Sequence, residues 1–160
     1  MEPQHPPSHK TAGAAPKGSQ SGPTPTEPET ILVVEDNDDL RDVTQMQLQR
    51  LGYAVFAASD AAHGLDQLRR HPEIGLLLSD IVLAGGTGGP EMALQALEIV
   101  PGLAVLFITG YSDASASEKV ARFGPDCLLY KPVHQEDLAK LVRDALDHRR
   151  ARGLRSPPPP

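Results

Sequence analysis

The sequence predicts an α/β protein, an open doubly wound sheet of five parallel strands with helices on both faces. Three observations predict it. Short apolar runs alternate five times with segments of helical spacing between Ile31 and Arg149. The runs carry no polar alternation, as strands buried on both faces do. Hydrophobic residues make up 39% of the chain and aromatics only 4%, so the core is built from Leu, Val, Ile and Ala.

The elements follow in order. Ile31-Leu32-Val33-Val34 is the first strand, and it runs into Glu35-Asp36-Asn37-Asp38. Any of the last three can cap a helix over about Asp39 to Leu51, which Gly52 stops. Tyr53 to Ala57 is the second strand. Ser59-Asp60 open a helix carrying Ala62, Leu65 and Leu68, and it ends near His71-Pro72. Ile74 to Ser79 is the third strand. A loop rich in glycine, Gly85 to Gly89, leads to a helix over about Pro90 to Ile99, with proline at a favoured first position. Leu103 to Thr109 is the fourth strand, followed by a helix of about Ala114 to Phe123. Cys127 to Tyr130 is the fifth. The last helix spans about Gln135 to Arg149. Its Leu138, Leu141, Val142, Ala145 and Leu146 make the clearest helical stripe in the chain.

A chain of 160 residues suggests one domain with appendages. Residues 1–28 are rich in Pro, Gly, Ser and Thr without apolar periodicity, and read as a disordered tail. Residues 29–149 form the domain. Residues 150–160, basic and then proline-rich, read as a second disordered tail. The net charge of −6 argues against a nucleic-acid-binding domain. No apolar stretch reaches the roughly 20 residues of a membrane span, and the N-terminus lacks a signal-peptide core. The single cysteine, Cys127, excludes an internal disulfide and reads as a buried core thiol. A cytoplasmic protein is the expectation.

In folds of this class the site lies at the carboxyl ends of the strands. The first strand ends in Glu35-Asp36, the third in Asp80, the fourth in Thr109-Gly110 and the fifth in Lys131-Pro132. Three carboxylates, a hydroxyl and an ammonium therefore share one sheet edge. Crowded carboxylates repel, and a hard divalent cation relieves them; magnesium prefers such oxygen ligands. A carboxylate beside such an ion can attack phosphorus and form an aspartyl phosphate. Lysine and threonine add a point charge and a hydroxyl donor. Gly85 to Gly89 lacks the ending of a phosphate-binding P-loop and reads as a flexible loop. The six histidines show no ligand spacing.

These motifs, ILVVEDN, LLLSDIVL, LFITGYS and LLYKPV, resemble the receiver domain of two-component response regulators over about residues 30–148. The resemblance implies a flavodoxin-like (βα)5 fold. It implies that Asp80 is the phosphoacceptor, with Thr109 and Lys131 contacting the phosphoryl group. Asp36 binds Mg2+ directly, Glu35 directly or through water, and Val82 through its backbone carbonyl. The Lys131-Pro132 bond is expected to be cis. The loop after Asp80 is similar to the Pro-Gly-Gly loop of receivers attached to hybrid histidine kinases, with Ala84 in place of proline. Leu128 stands where many receivers carry an aromatic switch residue. That leaves Thr109, Tyr111 and Tyr130 as candidate levers, and Tyr111 could also shield the phosphoryl group from water.

The implied function is a stand-alone receiver. It takes a phosphoryl group from a histidine kinase or histidine phosphotransfer protein and signals through an unnamed downstream protein, without binding nucleic acid or membrane. Too few residues follow His148 for a DNA-binding unit. It catalyses only its own phosphorylation and dephosphorylation. Two alternatives stay open. One is a pseudo-receiver that binds partners without phosphorylation. The other is an aspartate-nucleophile phosphatase, disfavoured by Val82 where a second acid is needed.

Overall fold

The computed structural model describes residues 28–110 and 114–155. The strands are β1 (Thr30–Val34), β2 (Ala54–Ala58), β3 (Ile74–Asp80), β4 (Ala104–Thr109) and β5 (Leu128–Tyr130). The helices are α1 (Asp38–Arg50), α2 (Ala61–Arg70), α3 (Gly89–Ile99), α4 (Ala116–Lys119) and α5 (Gln135–Arg155), with a 3-10 turn at Ala121–Phe123. All four strand pairings are parallel, in the order β2-β1-β3-β4-β5. The direction of winding reverses between β1 and β3. Right-handed crossovers therefore put α1 on one face and α2 and α3 on the other. Between those two strands their carboxyl ends diverge toward opposite connections, leaving a crevice.

The central strands explain the depth of the core. Every residue of β1 and of β3 is buried. Leu76, Leu77 and Leu78 are fully enclosed, each worth about 1.5–3 kcal/mol of apolar burial. The predicted stripe on α5 is the face that packs: Leu138, Val142 and Leu146 are buried, with Leu141 and Ala145 against the same core. Gly64 lets α2 approach the sheet, because a methyl group there would meet Val34 and Met92. Gly89 does the same for α3. A Cβ on it would collide with the Asp80 carbonyl oxygen and crowd Ser79 Oγ.

Of the three candidate caps for α1 the structure uses Asn37, whose Oδ1 accepts from Leu40 N at 3.0 Å. That leaves the Asp36 carboxylate out of the helix cap. Asp60 caps α2, accepting from His63 N at 2.8 Å. Cys127 is buried and free, as expected.

Two expectations are corrected. The helix expected over Ala114 to Phe123 is only four residues, Ala116–Lys119. Val120 leaves helical geometry (φ −112°, ψ 7°), the chain tightens into the 3-10 turn, and Gly124 ends it at φ 108°. Ser115, Ser117 and Val120 are weak helix formers, and Cys127 Sγ donates to the carbonyls of Val120 and Gly124 instead (3.6 and 3.3 Å). The second correction is at the other end. The helix expected to stop at Arg149, with a disordered tail from 150, continues to Arg155. Its basic residues find distant acceptors. Arg143 and Arg150 pair with Glu29 at 3.0 and 2.7 Å, and Arg149 and Arg152 reach the Gly102 carbonyl at 3.1 and 3.4 Å. No helix among the described residues is long and apolar enough to cross a membrane.

Candidate functional site

Glu35 follows β1 directly. Its amide donates to the Ala58 carbonyl at 3.1 Å, extending the pairing with β2 by one step. Its Oε2 accepts from the Asn37 amide at 3.1 Å. Asp36 follows with an exposed side chain. Asp80 ends β3 and is 9% exposed. One carboxylate oxygen from each of Glu35, Asp36 and Asp80 lies within 4.8 Å of the others, a spacing that one cation can span. Hard carboxylate oxygens at a partly open sheet edge suit a magnesium ion that keeps some of its waters. The donor set therefore fits the ion expected from the sequence.

Lys131 enters from the end of β5. Its Nζ lies 2.8 Å from Asp80 Oδ2 and 3.4 Å from Glu35 Oε1. The Lys131 amide donates to the Thr109 carbonyl at 2.8 Å, which fixes β5 against the end of β4. The Lys131-Pro132 bond is cis, as expected. Thr109 is 2% exposed. It stands one residue beyond Ile108, the register partner of Asp80, and so at the same edge of the sheet. The other oxygen of Asp80, Oδ1, accepts from the Val82 amide at 3.2 Å. Val82 itself is 64% exposed.

Electrostatics follow from this crowding. Burial pushes the Glu35 carboxyl up; the Asn37 N–H opposes the rise, Asp80 adds to it and Lys131 opposes it again. Burial would pull Lys131 down. The hydrogen bond and charge of Asp80, backed by Glu35, outweigh it and hold the ammonium above the usual lysine value. Both shifts describe one negative pocket with one cation inside it.

The sequence-predicted residues Glu35, Asp36, Asp80 and Lys131 are thus brought into one cluster, with Thr109 and Val82 beside it. Tyr111 lies outside the described residues. Leu128 is half-buried against the core and pairs in register with Phe107, and Tyr130 is 41% exposed. After Ala84, Gly85 and Gly86 both adopt positive φ (92° and 93°), which only glycine takes readily. Sequence reading missed Arg41. Its Nη1 donates to the Glu35 carbonyl at 2.9 Å and its Nη2 to Asp38 Oδ1 at 2.7 Å. The available signal was its place: a cation in the first turn of a helix sits at the end where the helix dipole favours anions.

The response regulator receiver domain family matches residues 31–143. The response regulator receiver protein CpdR of Brucella abortus is 35% identical over 124 residues, covering 72% of this chain and 95% of that protein. The sensor kinase CckA of the same organism is 28% identical over 122 residues, and the match spans only 12% of that kinase. The transcriptional regulatory protein YbdJ of Bacillus subtilis is 29% identical over 118 residues, about half of its length (51%). Among solved structures, a CheY-like response regulator receiver domain protein from Methanospirillum hungatei superposes with a TM-score of 0.71 at 29% identity, covering 79% of this chain and 99% of that one. A response regulator receiver protein from Sinorhizobium medicae gives a TM-score of 0.68 at 28% identity, covering 77% and 98%.

Proposed function

The chain belongs to the response regulator receiver domain family, a family of signalling domains, and from that premise we propose that Asp80 accepts a phosphoryl group from a histidine kinase or histidine phosphotransfer protein. One observation carries the reading. The ammonium of Lys131 stands 2.8 Å from an Asp80 oxygen while two further carboxylates close on the same point. In the transfer, a carboxylate oxygen of Asp80 forms the new O–P bond as the P–N bond of the phosphohistidine breaks. The bonding pair leaves with the imidazole. Glu35, Asp36 and Asp80, with the Val82 carbonyl, would hold Mg2+, which would supply charge neutralisation at the phosphoryl oxygens. Lys131 supplies a second positive charge and the Thr109 hydroxyl a donor. The near-contact of Lys131 with Asp80 restrains the carboxylate before transfer and leaves the ammonium beside the phosphoryl oxygens afterwards.

The domain then acts as a stand-alone receiver, passing its state to a partner through protein contacts in the cytoplasm. The extent of CpdR, of which this chain covers 95%, supports that arrangement. The test is direct. Incubation with Mg2+ and acetyl phosphate is expected to add one phosphoryl mass to the wild type and none to Asp80→Asn. No adduct on the wild type, or an equal adduct on the variant, refutes the assignment.

A further inference from the structure

Arg41 belongs to no role assigned so far, yet its side chain is only 19% exposed. A guanidinium is rarely covered without a partner, and this one has two. One prong donates to the Glu35 carbonyl at 2.9 Å and the other to Asp38 Oδ1 at 2.7 Å. Glu35 and Asp38 flank Asp36 in the chain. The fork therefore ties the backbone where it leaves β1 to the side chain that opens α1, and the segment carrying Asp36 is held from both sides. The Asp36 carboxylate itself is exposed, so its position rests chiefly on that backbone. The neighbouring anchors do other work. The Asn37 amide fixes the carboxylate of Glu35, and Asn37 Oδ1 caps the helix.

The opposition of a cation near a helix N-terminus to the dipole is offset here by the i,i+3 pair with Asp38. Arginine suits the task because its planar fork presents several donors in fixed geometry, whereas lysine presents a single ammonium.

We infer that Arg41 is a positioning residue for the cation site: it sets the Glu35–Asp38 segment so that the carboxylates of Glu35 and Asp36 converge with Asp80. The inference rests on the magnesium reading given above and adds a residue that touches neither the ion nor the phosphoryl group.

Electrostatics alone and positioning predict opposite signs. Removing a cation from beside three carboxylates should tighten Mg2+ binding if charge is all that Arg41 contributes. Loosening the segment should weaken it. The experiment is calorimetric titration of Mg2+ into metal-free wild type, Arg41→Ala, Arg41→Lys and Asp36→Asn, well below each melting transition. Arg41→Ala is expected to weaken binding on the order of tenfold, the usual scale for residues that orient ligands. Arg41→Lys, which keeps the charge but cannot span both acceptors, is expected to fall between Arg41→Ala and wild type. A purely structural arginine would lower the melting temperature and leave the affinity of the folded protein alone. Unchanged or tighter binding in Arg41→Ala, with Asp36→Asn silent, overturns the inference while leaving the metal site standing. Absence of binding in the wild type overturns both. Should Arg41→Ala fail to fold, wild-type affinity in Arg41→Lys overturns the inference in its place.

Discussion

Neutralising Asp36 should stabilise the protein when no cation is present. Its carboxylate is exposed, is not the cap of α1 and is not the partner of Lys131, so Asp36→Asn removes little besides charge. The ligand oxygens of Glu35 and Asp80 lie within 4.8 Å of it. At that distance each repulsion is worth about 3.5 kcal/mol at an effective dielectric near 20 and about 0.9 kcal/mol in bulk water. An exposed group sits near the water limit, so the two pairs together cost about 2 kcal/mol. Against this, a negative charge just before α1 gains about 0.5 kcal/mol from the helix N-terminus. The Lys131 ammonium in the same cluster attracts Asp36 by about 0.5–1 kcal/mol, so the net expectation is a gain of about 0.5–1 kcal/mol, or about 2–4 °C in melting temperature for a domain of this size. The assay is thermal melting by circular dichroism in EDTA and in Mg2+. At ten times its Kd the ion adds about 1.4 kcal/mol to the wild type, and the variant should lose most of that increment. An Asp36→Asn protein that melts at or below wild type in EDTA refutes the picture of a crowded pocket.

Three further outcomes are expected. Gly89→Ala should destabilise by about 1–3 kcal/mol or more in urea melts, since a methyl group there collides with the Asp80 backbone carbonyl and crowds Ser79 Oγ. Glu29→Ala should cost about 1 kcal/mol because its pairs with Arg143 and Arg150 are partly exposed, and amide exchange in the last turns of α5 should quicken; an unaltered exchange pattern would show that Glu29 does not hold them. Burial pushes the Cys127 thiol above its ordinary value of 9.0. As pH rises through that value the unfolded chain gives up its proton first, so wild type should lose stability there that Cys127→Ala keeps; parallel stability–pH curves for the two would contradict it.

The parts legible in the sequence were those fixed by local pattern. The continuous runs at Ile31 and Ile74 are typical of strands buried on both faces, and a parallel topology then puts Glu35, Asp36, Asp80, Thr109 and Lys131 at one edge. The 2.8 Å contact of Lys131 with Asp80 is that reading made physical. What the sequence hid depended on distant partners. The helical run past Arg149 needs Glu29 and Gly102, far away in the chain. The short α4 competes with hydrogen bonds from Cys127. Arg41 looked like an ordinary surface residue: its i,i+3 pairing with Asp38 is common on helices, and its other acceptor, the Glu35 carbonyl, is one that no spacing rule reveals.

The approach of Gly89 to Asp80 has a mechanical consequence. Its amide also donates to the Ile81 carbonyl at 2.8 Å, so the first turn of α3 is bolted to the end of β3 with no side chain between them to act as a cushion. Most helices ride on their sheet through flexible side chains that absorb small shifts by changing rotamer. This joint has no such play. A displacement of the backbone at Asp80 must be carried into α3 as a whole-body tilt, or resisted by it, and the face of α3 that bears the half-exposed Leu94 moves with it.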